Sequence, residues 1–217
     1  MKNIVCLISG RGSNLESLLA TQAREDWVRD PGARVAAVVS NRPGVRGLEI
    51  ARAAGLPAVL VDHAGFASRE DFEAALARAI EPHAPDFLVL AGFLRVLTPA
   101  FVRRFEGRIL NIHPSLLPSF PGLATHRRAL EAGVRVHGTT VHFVGAELDA
   151  GPIIAQSALR VAPGEDEEAL AARVLALEHE LLPRCVRWVA GGLVRLEGGR
   201  VALSPRIDPR DLLRLDP

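Results

Sequence analysis

Residues 3–19, NIVCLISGRGSNLESLL, join an apolar run, a glycine-rich turn and the start of an amphipathic segment. The run NIVCLIS (3–9) is short and has no alternation of polar and apolar residues, which is typical of a strand covered on both faces. After the turn, Leu15, Leu18 and Leu19 recur at helical spacing. The stretch therefore predicts a strand, a tight turn and a helix, as in an α/β fold.

The same order of strand-like and helix-like segments continues along the chain. Ser68 is a plausible N-cap of one helix, with acidic residues in its first turn, and a long helix is predicted over roughly Asp166 to Val189, which Pro183 should kink or interrupt. The remaining predicted strands are RVAAVVSN, PAVLVD, DFLVLAG, RILNIH, TTVHFV and PIIAQSALRV, and VRGLEIARAAG and SREDFEAALARAIEPH are predicted helices. Since short right-handed crossovers join such units, we expect a doubly wound, mostly parallel, Rossmann-like sheet.

After the long helix, GGLVRLEGGRVAL predicts a small hairpin with a Gly-Gly turn, and the tail SPRIDPRDLLRLDP predicts a surface strap. At 217 residues the chain can bury a full core. We expect a single domain, with the hairpin and tail, residues 191–217, belonging to it.

Composition excludes several classes of protein. A net charge of +1 argues against nucleic acid or an acidic membrane as a partner. No run reaches the roughly 18 apolar residues of a membrane helix, and the first apolar run is too short for a signal peptide, so we expect a cytoplasmic protein. Cys6 and Cys185 make neither a disulfide framework nor a zinc site, and the histidines lack metal-ligand spacing, so no metal is expected.

Three polar residues stand where predicted strands end. Asn111 and His113 are two residues apart on RILNIH, so their side chains leave the same face, and Pro114 should end that strand. Asp149 follows TTVHFV in the turn LDAGP. An amide and an imidazolium can hold a developing oxyanion while a carboxylate orients the His and receives a proton. A strand-end pair and a turn-making Asp remain the structural alternatives.

Other residues are candidates for binding. The turn SGRGSN (9–14) offers backbone N–H groups at a helix N-terminus to a phosphate, and it lacks both the third glycine of a dinucleotide motif and the lysine of a Walker A loop. A plain βα turn is the alternative interpretation. AGFLRVLTP (91–99) leaves a strand where open α/β sheets bind ligands, or packs in the core. Thr140 and His142 share one face of the predicted strand TTVHFV, and we expect them to line the same cleft as Asn111 and His113.

Together these segments resemble the folate-dependent formyltransferases. The resemblance runs in order through ISGRGSNLESLL, SNRPGVRGLEIARAAG, APDFLVLAGFLRVLTPAFV, NIHPSLLPSFPGLATHRRALEAG, HGTTVHFV, ELDAGPII and LEHELLP, over most of the first 190 residues. The PSFPGL segment and the GRGSN start are most similar to the members that formylate 5′-phosphoribosylglycinamide (GAR) in purine biosynthesis. The resemblance implies a catalytic domain over residues 1–190, with 10-formyltetrahydrofolate as co-substrate and GAR as acceptor.

The resemblance also implies roles for individual residues. Asn111, His113 and Asp149 match the catalytic trio, with Thr140, His142 and Pro118 in support, and Leu117–Pro118 matches a cis peptide bond. The implied GAR-binding residues are Gly12, Ser13, Asn14 and Glu178. The implied folate-binding residues are Arg69, Arg95, Val96, Leu97, Asn111, Glu147 and Leu148. Ala124 and Leu175 depart from polar residues found in relatives, and this departure concerns substrate affinity rather than chemistry.

Rival functions share the Asn/His/Asp core. Methionyl-tRNA formyltransferase would need about a hundred further residues and a basic surface, and formyltetrahydrofolate deformylase would carry an N-terminal regulatory domain. Sugar-nucleotide N-formyltransferases tend to be longer. The non-enzyme alternative is a module that binds a phosphorylated metabolite, in which the trio is structural. The sequence leaves the choice between monomer and homodimer open.

Overall fold

The computed structural model describes residues 1–216, and the chain divides into two compact units, residues 1–110 and 111–217. The first unit contains four strands in the order β4-β1-β2-β3, and all of their pairings are parallel. The strands are β1 (Lys2–Ile8), β2 (Ala33–Ser40), β3 (Ala58–Leu60) and β4 (Phe87–Leu90). The helices are α1 (Ser13–Arg24), α2 (Arg46–Ala53), α3 (Arg69–Ile80) and α4 (Pro99–Arg104).

Burial explains the central position of β1 in this unit. Its residues from Ile4 to Ile8 are fully buried, as expected of a strand that is apolar without alternation. The glycine-rich turn follows directly and leads into α1. Ser68 caps α3 as predicted, because its hydroxyl accepts a hydrogen bond from the Asp71 N–H at 3.0 Å.

The second unit begins within β5 (Ile109–His113) and continues with α5 (Thr125–Glu131). Its strands β6 (Val136–Phe143) and β7 (Ile153–Arg160) are antiparallel, and β10 (Leu213–Asp216) pairs with β7 in parallel. The strand order is β10-β7-β6-β5. The long helix α6 (Glu167–Ala190) packs on Leu159, and β8 (Val194–Glu197) and β9 (Arg200–Leu203) form a separate hairpin.

The predicted α/β class, with its mostly parallel sheet and C-terminal hairpin, is confirmed, and the structure refines two local expectations. Helix α6 is not interrupted at Pro183. A proline removes one helical hydrogen bond, but the neighbouring Leu181 and Leu182 are fully buried, so packing holds the helix together. The tail is not only a surface strap, because β10 obtains backbone partners from β7. Within residues 1–216, no helix is long and apolar enough to span a membrane.

Candidate active site on strands β5 and β6

Four polar residues of the candidate site lie on strands β5 and β6. Strand β5 ends at His113, as the following proline predicted, and carries Asn111 two residues earlier. Strand β6 contributes Thr140 and His142, both fully buried. Asp149 lies in the turn between β6 and β7 with a φ of 51°, in the left-handed region. The site is therefore built on strand ends and one strained turn.

The predicted trio lies together. His113 Nδ1 is 3.4 Å from Asp149 Oδ2, and His142 Nε2 is 3.9 Å from Asp149 Oδ1. Asn111 Nδ2 is 3.1 Å from His142 Nε2. The side chains of His113 and Asp149 are both nearly closed to solvent, with 7% and 8% of their surface exposed. Asp149 thus faces the imidazoles of His113 and His142, and His142 also contacts the amide of Asn111.

Backbone carbonyls determine which ring nitrogens carry hydrogen. His113 Nε2 lies 3.0 Å from the Phe120 oxygen, and His142 Nδ1 lies 2.9 Å from the Phe143 oxygen. A carbonyl can only accept, so both of these nitrogens donate. Burial lowers the pKa of His142, although the Phe143 carbonyl and Asp149 oppose this effect. Neutral His142 then presents the Nε2 lone pair to Asn111, whose amide has a second N–H to offer to a reacting oxygen.

The segment after β5 shapes the site through its backbone. The Gly122 N–H donates to Asp149 Oδ2 at 2.8 Å. Phe120, whose carbonyl accepts the hydrogen bond from His113, has a φ of 56°. The Leu117–Pro118 bond is cis, as the resemblance implied. Sequence reasoning missed Phe120 and Gly122 because their backbone groups, not their side chains, make these contacts. The turn residues of PSFPG were the available signal.

A second unpredicted contribution comes from β7. Gln156 Nε2 donates to the Leu117 oxygen at 3.0 Å and to Thr140 Oγ1 at 2.9 Å. Thr140 Oγ1 also accepts from the Leu117 N–H at 3.0 Å and donates to the Ser115 oxygen at 2.7 Å. These bonds tie the segment after His113 to β6 and β7, which explains how Thr140 supports the site.

A pair of histidines lies beside this segment. His126 Nδ1 is 3.2 Å from His137 Nε2, and the Phe120 ring packs edge-on against His137 with centroids 6.1 Å apart. Burial, with smaller contributions from the nearby His126 and His113, lowers the pKa of His137 to about 4. Burial also lowers the pKa of His126. The two rings, in their neutral forms, are therefore joined by one hydrogen bond.

In the first unit, the predicted phosphate turn leads into α1. Gly12 has a φ of 77°, and a Cβ built on it would lie 2.6 Å from the Gly47 Cα. Only glycine fits both the conformation and the space. Ser13 and Asn14 follow as the first residues of the helix, where backbone N–H groups favour anions. The turn therefore passes close to the first turn of α2 at Gly47.

The remaining predicted binding residues fall in both units. In the first unit, Leu97 is buried, Val96 is half-exposed, and the Arg95 guanidinium lies 5.1 Å from the centre of the Phe72 ring. Arg69 is exposed at the first residue of α3.

In the second unit, Glu178 is buried on α6, whereas Glu147 and Leu148 are exposed just before Asp149. Within residues 1–216, the side chain of Glu147 makes no hydrogen bond or ion pair with the trio. No group of three or more potential metal ligands occurs in the same range.

The chain is similar to known proteins over nearly its whole length. The formyl transferase family matches residues 2–186. Phosphoribosylglycinamide formyltransferase of Escherichia coli (strain K12) is 46% identical over 194 residues, covering 89% of this chain and 90% of that protein. A trifunctional purine biosynthetic protein of Drosophila pseudoobscura pseudoobscura is 43% identical across 97% of this chain, which spans only 15% of that protein.

A solved structure is also similar to this one. The crystal structure of glycinamide ribonucleotide transformylase 1 from Symbiobacterium toebii has a TM-score of 0.87 and 46% sequence identity, and the match covers 94% of each chain. The family match extends over well more than half of the chain and agrees with the resemblance found in the sequence. The chain belongs to the formyl transferase family.

Proposed function

We propose that the enzyme transfers the formyl group of 10-formyltetrahydrofolate to the amine of GAR, giving formyl-GAR and tetrahydrofolate in purine biosynthesis. The observation that carries the proposal is the buried cluster in which Asp149 lies 3.4 Å from His113 and 3.9 Å from His142, which holds Asn111. The names of relatives that are 46% identical over most of the chain support the choice of GAR as acceptor.

The groups of the cluster support a direct transfer. The GAR amine attacks the formyl carbon, a C–N bond forms, and the carbonyl electron pair moves onto oxygen. Asn111 donates an N–H to this oxyanion, a contribution of about 3–4 kcal/mol for an oxyanion-hole donor. His113 contributes charge or a hydrogen bond near the same oxygen, and its ring is oriented by the Nε2–H that it donates to the Phe120 carbonyl.

Asp149 takes the proton. Directly or through a water molecule, its carboxylate accepts a proton from the attacking amine and returns it to the folate nitrogen as the bond between the formyl carbon and that nitrogen breaks. Neither cysteine is suited to attack the formyl group, because both thiols are buried and burial raises the pKa of Cys6 to about 12. A covalent enzyme intermediate is therefore not part of the proposal.

The binding roles are assigned residue by residue. For GAR, they fall to Gly12, Ser13 and Asn14 at the start of α1 and to Glu178. For the folate they fall to the segment Arg95, Val96 and Leu97 and to Arg69, Asn111, Glu147 and Leu148. The phosphate assignment is supported by the left-handed φ of Gly12 at a helix N-terminus.

Other properties remain predictions. We expect residues 1–190 to act as one catalytic domain to which residues 191–217 belong, a cytoplasmic location, and a monomer or homodimer without nucleic acid or membrane as partner. A single cooperative thermal transition would agree with one domain. Two separate transitions would contradict it.

The test of the function is formyl transfer, followed by the absorbance of the deformylated folate with GAR present and absent. We expect turnover that requires GAR and that falls by at least about a thousandfold in Asp149→Asn or His113→Ala. Folate turnover without GAR would indicate a deformylase instead. Near-wild-type turnover of Asp149→Asn would show that the role of this carboxylate is wrong.

A further inference from the structure

Ser9, the first residue of the glycine-rich turn, makes two contacts with the segment Gly92–Leu97. Its backbone N–H donates to the Gly92 oxygen at 3.1 Å. Its hydroxyl oxygen accepts from the Leu94 N–H at 2.8 Å. Ser9 is 2% exposed, so both bonds end on a buried residue, whereas Leu94 itself is 59% exposed. One small side chain thus fixes the backbone of the segment that carries Arg95, Val96 and Leu97.

The hydroxyl of Ser9 is itself held in one orientation. Because its oxygen accepts from Leu94, its single hydrogen is directed at Asn41 Oδ1, at 2.5 Å. Asn41 is 1% exposed, and its backbone oxygen accepts from His63 Nδ1 at 2.7 Å. A buried chain of hydrogen bonds therefore runs from the residue after β2, through Ser9, to Leu94.

Ser9 also lies at the start of the phosphate turn. Gly10 follows it directly, and the Gly10 oxygen accepts from the Gly47 N–H at 3.2 Å, which holds the turn against α2. The turn is thus fixed by Gly47 without help from the Ser9 hydroxyl. The hydroxyl serves the segment Gly92–Leu97 instead.

We propose that Ser9 is a positioning residue that holds Gly92–Leu97 in the conformation that receives the pterin ring of the folate. This inference rests on the proposed function, since the segment is taken as part of the folate site. Loss of the hydroxyl removes the protein partner of the Leu94 N–H and leaves the buried Asn41 Oδ1 without its donor, and the segment moves to recover hydrogen bonds. Folate binding weakens as a result, while the trio on β5 and the β6–β7 turn keeps its contacts.

The experiment compares Ser9→Ala with Ser40→Ala. The hydroxyl of Ser40 is also buried and also bonds to backbone, at the Arg42 oxygen (2.8 Å) and N–H (3.1 Å), but not to Gly92–Leu97. We expect Ser9→Ala to raise the KM for 10-formyltetrahydrofolate about tenfold, equivalent to about 1.4 kcal/mol of binding. Its kcat should stay within about twofold of wild type, and Ser40→Ala should keep the wild-type KM.

A direct binding measurement separates this inference from the proposed function. Titration of tetrahydrofolate in a calorimeter requires no turnover, and Ser9→Ala should bind it about tenfold more weakly than wild type. If Ser9→Ala does not fold, Asn41→Ala, which removes the partner of the hydroxyl hydrogen together with the Nδ2 contact to His63 Nδ1 (3.3 Å), should weaken binding about threefold. Equal binding by wild type and a folded variant, or an equal loss in Ser40→Ala, would overturn the role of Ser9. Absence of GAR-dependent turnover in wild type would instead overturn the function.

Discussion

Acidification should destabilise the protein through His137, and the size of the effect follows from its surroundings. Burial and the neighbouring His126 lower the pKa of His137 from 6.5 to about 4. As the pH falls, His137 therefore becomes protonated at a higher pH in the unfolded chain than in the folded chain. The stabilising contribution is complete above pH 6.5, is lost as the pH falls from 6.5 toward 4, and does not change further below that.

The magnitude can be worked from the same two values. Between about pH 7 and pH 5, the difference in proton uptake corresponds to about 2 kcal/mol of unfolding free energy at about 1.36 kcal/mol per pKa unit. Relaxation and water penetration around the buried ring reduce this to about 1–2 kcal/mol. The lowered pKa values of His126 and His142 act in the same direction.

The assay is urea unfolding followed by the fluorescence of the buried Trp27 and Trp188, at both pH values. His137→Gln removes the titrating group and keeps a polar side chain near His126. We expect this variant to lose about 1–2 kcal/mol less between the two pH values than wild type does. Ser157→Ala, a buried and non-titrating change on β7, should keep the wild-type dependence on pH.

Equal pH-dependent losses in wild type and His137→Gln would refute the reasoning. That outcome would mean that the folded protein takes up the proton at His137 as readily as the unfolded chain does. Any loss of unfolding free energy that the substitution itself causes does not affect the comparison, because this loss is present at both pH values and cancels.

Three further variants test the site. Asn111→Ala should lower kcat by about 10²–10³ with little change in either KM, because its N–H acts on the oxyanion; a mainly raised KM would indicate a binding role. Gly151→Ala should lower both kcat and Tm, since its Cβ would lie 1.8 Å from the Phe143 oxygen that holds His142; wild-type kcat would contradict this. Gly12→Ala should raise the KM for GAR at least about tenfold and leave the folate KM unchanged. Steady-state kinetics with each substrate varied measure both values, and an unchanged KM for GAR would contradict the prediction.

The sequence was sufficient to predict the strands and the trio because these depend on local signals. Pro114 marks the end of β5, and the turn after β6 marks the position of Asp149. The supporting contacts could not be predicted in this way. The carbonyl of Phe120 reaches His113 only because a non-glycine residue adopts a positive φ. Gln156 appears as an ordinary polar residue on a strand until the pairing of β6 and β7 brings it to Thr140.

The two imidazoles that face Asp149 have been given different tasks by their backbone partners. His142 donates its Nδ1–H to Phe143 and is kept neutral by burial, so its Nε2 serves as an acceptor that fixes Asn111. His113 donates through Nε2 instead, to Phe120, and therefore turns Nδ1 toward Asp149. Because the ring nitrogens are used in opposite order, His113 turns Nδ1 and His142 turns Nε2 toward Asp149. In the proposed mechanism, the different roles of His142, which positions Asn111, and His113, which acts on the substrate, follow from which carbonyl each ring meets.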